Sequence, residues 1–256
     1  MGRTAGHTCA IAGQALLRAR QVSCNVTLMT ELIRYEPQDA IAILQMDDGK
    51  VNALSQAMID ALNAALDRAA AANAAVLIAG RPGVFSAGFD RNALMAGGPA
   101  AGAMVQAGFK LAERLFTFPR PVVIACSGHA LAMGAFLMLA SDHRIGAQGA
   151  FRIGANEVAI GLTMPYFAIE ICRQRLTPSH FQRAVMHAEI FDPEQAVAAG
   201  FLDAVASAAE LHARAIAIAS QLAKLPPAVY LATKLRARAH SIAAVHAAIE
   251  LDAQAQ

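Results

Sequence analysis

Apolar positions along this chain follow two periods. Short continuous apolar runs at 40–46, 75–79 and 121–126 have the length and composition of buried strands. A first strand opens around 30–33. Between the runs, Met58, Leu62 and Leu66, and then Met104, Gly108, Leu111 and Leu115, recur at the spacing of one helix face. Ser55 stands where a helix N-cap belongs, and Pro119 and Pro121 end the second helix. Gly-containing turns at 47–50 and 80–83 punctuate the pattern. Strands alternating with helices predict an α/β fold with largely parallel pairing, and such folds bind ligands at the C-terminal ends of their strands.

The second half predicts short strands at 144–146 and 151–153 and helices at 165–175, 178–186 and 193–199. Pro226-Pro227 separates one long helix from a helical tail over 228–251. That tail has little core of its own, so it packs on the main domain or on a neighbouring subunit. The stretch 122–140 is apolar enough to raise a membrane span. Ser127, Gly128, His129 and Gly134 interrupt it, which favours a buried strand followed by a buried helix.

The division expected is a leader over 1–28, a core over 29–220 and a C-terminal helical oligomerisation segment over 221–256. The leader holds Arg3, Arg18 and Arg20 and no Asp or Glu. It reads as a transit peptide, implying a mitochondrial matrix protein, or as sequence upstream of a start at Met29, implying a cytoplasmic one. The simpler second reading is preferred.

Composition narrows the function. The 256 residues are 56% hydrophobic and 16% charged, a low charged fraction that fits a surface partly covered by other subunits. A net charge of +2, no long basic run and no Trp argue against nucleic acid as a partner. Cys9, Cys24, Cys126 and Cys172 form no CxxC pair, which argues against a disulfide framework and a zinc site.

Two turns carry the candidate chemistry. Gly128-His129-Ala130-Leu131-Ala132-Met133-Gly134-Ala135 joins a strand to an apolar helix, and Phe85-Ser86-Ala87-Gly88-Phe89-Asp90 follows another strand. Backbone N–H groups at such helix starts favour negative charge. Two converging donors would form an oxyanion hole, with Ala87 and Met133 as the candidates and Gly88 and Gly134 allowing close approach. Each turn alone also reads as an ordinary βα connection. Glu157, among apolar neighbours, reads as an acid/base with a raised pKa, or as a solvated carboxylate in a first helical turn. His129 and His143 are isolated and lack partners at metal spacing. Asp142 fits a backbone partner at a strand start, and Asp90 a helix cap. Ser86 and Ser127 lie outside any GxSxG, and no Walker A or GxGxxG sequence occurs.

Together these segments resemble the crotonase (enoyl-CoA hydratase/isomerase) superfamily. The Phe85 and Gly128 runs resemble its two oxyanion motifs, and Asn52-Ala53-Leu54-Ser55 its early CoA loop. Asn156-Glu157-Val158-Ala159-Ile160-Gly161-Leu162 resembles its catalytic-glutamate segment, and Ala199-Gly200-Phe201-Leu202-Asp203 its late AxxxGLVD segment. The likeness runs from about Leu32 to the C-terminus. It implies a spiral of ββα units, a homotrimer or dimer of trimers, and a C-terminal helical segment at subunit contacts. It implies an acyl-CoA thioester, with CoA as part of the substrate and no metal, redox cofactor or membrane partner. The thioester carbonyl would lie at Ala87 and Met133. Lys50, Val51, Ala53, Phe89, Asp90, His129 and Gly134 would line the substrate and CoA path.

One departure bears on the reaction. Family hydratases hold water between two glutamates, and the earlier one falls at Phe136 here. A single base suffices to move a double bond. The mitochondrial-type Δ3-Δ2-enoyl-CoA isomerases likewise lack the first glutamate, and Thr163-Met164-Pro165-Tyr166-Phe167 resembles their apolar segment. The resemblance therefore implies an isomerase of fatty acid β-oxidation, shifting 3-enoyl-CoA to 2-enoyl-CoA. The alternatives are a hydratase (a lyase) using His129 or a bound water, and a non-catalytic acyl-CoA binding subunit.

Overall fold

The computed structural model describes residues 31–255, so the leader and its two cysteines lie outside the described residues. The strands β1 (Ile33–Gln38), β2 (Ile41–Met46), β3 (Ala75–Ala79), β5 (Val122–Cys126), β7 (His143–Ala147) and β9 (Ala204–Ala206) make the main sheet, in the order β1-β2-β3-β5-β7-β9. The β1–β2 hairpin is antiparallel and every later pair is parallel.

The strand runs read as continuously apolar because both faces of this sheet are covered. Leu44, Val76, Ile78, Val122 and Ile124 face a core shared with α1 (Gln56–Ala71), α3 (Gly98–Thr117) and α4 (Met133–Leu139). Their neighbours Ile43, Ala75, Leu77, Val123 and Ala125 face Leu211, Ala215 and Ala219 of α8 (Leu211–Ala223). Ser55 caps α1 by accepting the Met58 N–H at 3.2 Å.

A second sheet was legible only at one strand, expected at 151–153 and found at 153–154. β4 (Gly83–Ser86), β6 (Gly128–Leu131) and β8 (Ile153–Gly154) pair in parallel, in the order β4-β6-β8. The Gly128 run, expected to be mostly turn, is therefore strand β6, and the turn narrows to Ala132, whose φ is +50°. Gly128 allows the pairing: a Cβ there would lie 2.0 Å from the Gly83 carbonyl. The apolar stretch 122–140 is β5, β6 and α4, all within the fold. Among the described residues no single helix is long and apolar enough to cross a membrane. One bent pair, Leu211–Ala223 with Pro227–Ala237, passes on length and composition.

Between the sheets and the C-terminus lie α2 (Arg91–Ala96), α5 (Tyr166–Arg173), α6 (Pro178–Val185) and α7 (Pro193–Ala199). The tail, expected as one helix, is two: α9 (Pro227–Ala237) and α10 (Ala239–Gln254), which meet at Arg238. A buried ionic cluster ties α9 to the start of the parallel strands. Asp142 accepts the Val122 N–H at 2.8 Å and pairs with Lys234 at 2.9 Å and Arg238 at 2.8 Å.

α10 packs on α5 and α3 of the same chain. Its Asp252, 8% exposed, caps α5 by accepting the N–H groups of Tyr166 at 2.9 Å and Phe167 at 2.8 Å. Two first-turn N–H groups thus gain a charged acceptor at the positive end of the helix. Asp252→Ala is expected to lower the unfolding free energy by about 1–2 kcal/mol. Urea unfolding checks it, and an unchanged midpoint would count against the cap.

Candidate active site

The loop after β2 is built around Asp48. Its carboxylate accepts the N–H groups of Lys50 at 2.7 Å, Asn52 at 2.8 Å and Ala53 at 2.9 Å. Burial opposes its charge, but these three N–H groups outweigh burial and hold the carboxyl below its ordinary value. Asn52 is fully buried, with φ +51°. Its Nδ2 donates to the carbonyls of Met46 and Phe85, both at 3.1 Å, and its own carbonyl accepts from the Ser86 hydroxyl at 2.8 Å. Asp48, Asn52 and Ser86 therefore lock the loop carrying Lys50, Val51 and Ala53 onto the first glycine turn. Sequence reasoning placed Asn52 and Ser86 inside motifs but gave none of the three this locking role. The signal was present only as an Asp-Gly turn followed by Asn-Ala-Leu-Ser.

That locking revises the first candidate donor. The Ala87 N–H donates to the Val51 carbonyl at 3.0 Å, so it is not available to a ligand. The Gly88 N–H donates to the Ser86 hydroxyl at 3.2 Å. The Phe89 N–H meets no acceptor among the described residues. Its neighbours explain why. Leu54 donates to the Gly88 carbonyl at 2.8 Å and accepts from the Asp90 N–H at 3.4 Å, so strand-like pairing turns the intervening N–H away. The free donor is two residues later than the one expected.

Met133 keeps its expected place. It is the first residue of α4, where an N–H has no partner within the helix. The two turns touch: a Cβ on Gly88, whose φ is +92°, would lie 2.9 Å from the Ala132 Cβ and 3.3 Å from the Met133 nitrogen. A Cβ on Gly134 would lie 2.5 Å from the Ser86 carbonyl oxygen. Both glycines are thus required for the approach of Phe89 and Met133.

Glu157 begins a 3-10 turn, Val158–Ile160, and is 7% exposed, so the solvated reading does not hold. Its Oε2 is buried with no hydrogen-bond partner. Burial pushes its carboxyl up to about 7, against a smaller opposing pull from its own N–H and that of Asn156. The buried Cys172 thiol on α5 is pushed up by burial first and then by the Glu157 charge.

Phe136 on α4 is 2% exposed and stands edge-on to Phe167, with centroids 6.4 Å apart. Phe167 stacks on Phe109 at 4.5 Å, and Phe109 meets Phe89 at 6.0 Å. An aromatic row therefore joins the free Phe89 donor to Phe136, the position that matches the earlier glutamate of family hydratases.

The remaining candidates have structural partners. His129 accepts the Arg152 N–H on Nδ1 at 3.0 Å, which leaves the proton on Nε2. Asp90 caps α2 through the N–H groups of Asn92 at 2.8 Å and Ala93 at 3.1 Å. Lys50 and Val51 are exposed at the loop surface. The Lys50 carbonyl accepts from Arg81 at 3.0 Å. Cys126 and Cys172 are buried free thiols.

A family model described as enoyl-CoA hydratase/isomerase matches residues 36–256. The chain is 26% identical over 200 residues to a rat mitochondrial enoyl-CoA delta isomerase 1, covering 76% of this chain and 69% of that one. Among solved structures, an enoyl-CoA isomerase from Mycobacterium tuberculosis superposes with a TM-score of 0.85 at 47% identity, covering 88% of this chain and 99% of its own. An enoyl-CoA hydratase from Mycobacterium marinum does so with a TM-score of 0.84 at 46% identity, covering 88% and 99%.

Proposed function

This chain belongs to the enoyl-CoA hydratase/isomerase (crotonase) family, and we propose that within it the protein moves the double bond of a 3-enoyl-CoA to the 2-position. The observation that carries this reading is one buried carboxylate facing no second one. Glu157 has an unpartnered oxygen, and Phe136 fills the other glutamate's place with a buried ring. Water addition needs a water held and activated between two groups, whereas a double-bond shift needs one base.

In the proposed step the thioester oxygen lies between the N–H groups of Phe89 and Met133. Ionised Glu157 removes a proton from C2, and the electron pair delocalises onto the thioester oxygen as a dienolate. The two N–H groups stabilise that charge. Glu157 then returns the proton at C4, leaving the double bond at C2–C3 and restoring the base. No net proton or water is consumed. A base ionising near 7 suits such a two-way transfer.

The same reading includes the homotrimer or dimer of trimers. Exposed apolar side chains beside Glu157, namely Val158, Ile160, Leu162 and Tyr166, are compatible with coverage by another copy.

Turnover of a 3-enoyl-CoA and a 2-enoyl-CoA of equal length tests the assignment. The expected result is conjugated 2-enoyl thioester from the first and no change in the second. Hydroxyacyl product from the second would make the protein a hydratase, and inertness toward both would leave acyl-CoA binding.

A further inference from the structure

A trans peptide unit points its N–H and its C=O in opposite directions, so a partner that grips one end aims the other. The unit between Gly88 and Phe89 is gripped at its carbonyl, which accepts the Leu54 N–H at 2.8 Å. That contact sends the Phe89 N–H out on the side away from the loop. The aim of one candidate oxyanion donor is therefore set by the backbone of Leu54. Burial of the Leu54 side chain in the core holds the residue in place, but it does not fix the direction of its N–H.

The preceding loop fixes that direction, and Asp48 holds the loop. One of its carboxylate oxygens accepts the N–H groups of Lys50 and Asn52, at 2.7 and 2.8 Å. The other accepts the Ala53 N–H at 2.9 Å. The Asp48 N–H closes the ring by donating to Asn52 Oδ1 at 3.0 Å. The Ala53 N–H thus points at Asp48, and the next one along, that of Leu54, points at Gly88. Ser86 adds a second tie, donating to the Asn52 carbonyl at 2.8 Å and accepting the Gly88 N–H at 3.2 Å. We infer that Asp48 is a positioning residue for the reaction, which acts through Leu54 to aim the Phe89 N–H at the substrate's thioester oxygen. This rests on the oxyanion reading of Phe89 and Met133. A carboxylate suits the task because it accepts several N–H groups at once, in bonds roughly twice as strong as neutral ones. A donor fixed before the substrate arrives needs no reorganisation when charge develops.

The carbonyl stretch of a bound thioester reads its hydrogen-bond donors directly. Infrared difference spectra of the full chain with a saturated acyl-CoA, carbon-13 labelled at the thioester carbonyl, test the inference without any chemical step. The parent is expected to lower the band below that of the free thioester in water. Asp48→Ala should return the band toward the free value. It should also lower kcat on a 3-enoyl-CoA about tenfold or more, part of the roughly 10²–10³-fold cost of losing such a donor outright. Asp48→Asn keeps an acceptor for Lys50 and Asn52 but sets an amide donor against the Ala53 N–H, so it should fall between the two. A band and a kcat unmoved in Asp48→Ala, with native circular dichroism, would overturn the inference. Should Asp48→Ala not fold, Asp48→Asn decides alone. A parent band at the free value would overturn the oxyanion reading and the role of Asp48 with it. A band that answers to Asp48 while neither enoyl thioester turns over would sink the isomerase reading and leave the positioning role standing. Normal isomerase turnover with a lowered parent band that neither variant moves would sink the role of Asp48 alone.

Discussion

Glu157→Gln is expected to lower turnover of a 3-enoyl-CoA by about 10²–10⁴-fold, the range for loss of a general acid/base. Gln preserves shape and thioester contacts but cannot carry the proton from C2 to C4. The free enzyme should also show kcat/KM rising with pH through about 7, because Glu157 must be ionised to start and its carboxyl ionises near 7. Stability moves the opposite way. The ordinary value of 4.5 is raised to about 7 in the folded chain, so between these the folded state keeps a proton that the unfolded state has released. The advantage of the neutral form is complete below 4.5 and is lost as pH rises to about 7. Above that, the buried charge costs about 3 kcal/mol. Gln removes that cost, so the variant should be more stable than the parent at pH 8 by up to this amount and little different near pH 4. Rates with the 3-enoyl thioester and urea midpoints at the two pH values check both halves. Full activity in the variant would exclude Glu157 as the base, and an unchanged midpoint at pH 8 would exclude a costly buried charge.

Asp142→Ala is expected to cost about 3–5 kcal/mol of stability, because it removes one partner from a buried ionic cluster. Asp142 answers two cations and a strand N–H at once. The Lys234 side chain is 3% exposed, and its amine is drawn down to about 8 by burial even with Asp142 opposing. Arg175 nearby is lowered to about 10, by burial first and then by Arg144 and Arg238. Cations already crowd this end of the sheet, so loss of the anion leaves charge with nowhere to go. Guanidinium unfolding measures the effect. Lys234→Met placed on the variant should recover part of the loss, since it removes one of the orphaned charges. A loss under 1 kcal/mol would mean water reaches the cluster freely.

Much of the frame was legible in the sequence. The runs 75–79 and 122–126 are strands because both sheet faces are covered, which produces unbroken apolar stretches that a single chain displays directly. Pro193, Asp192 and Gln195 place α7 by a capping box, a signal contained within four residues. The second sheet was mostly hidden because β4 and β6 each span four residues and start on a glycine, so neither has a period to read; β8 was expected over 151–153 and is shifted to 153–154. The break of the tail at Arg238 has no proline or glycine to announce it. α9 and α10 separate where Arg238 reaches the carbonyl of Phe116, 122 residues away.

The site divides in the same way. The identities of Gly88, Met133, Gly134, Phe136 and Glu157 were present in ordered motifs, because such turns need particular residue types at fixed spacing. Which N–H groups are free was not. Donor direction at 87–89 depends on Val51 and Leu54, more than thirty residues upstream, and their pairing turns Ala87 inward and Phe89 outward. The burial of Glu157 also depended on distant chain, since Cys172 on α5, fifteen residues on, lies close enough to feel its charge only once the chain has folded. Local sequence determined the main-sheet strands, most helices, the family and the chemical groups on offer, since each is encoded within a few residues. Tertiary structure alone decided which of those groups are left unpaired and dry, because a hydrogen bond or a burial is a relation between segments that the sequence keeps apart.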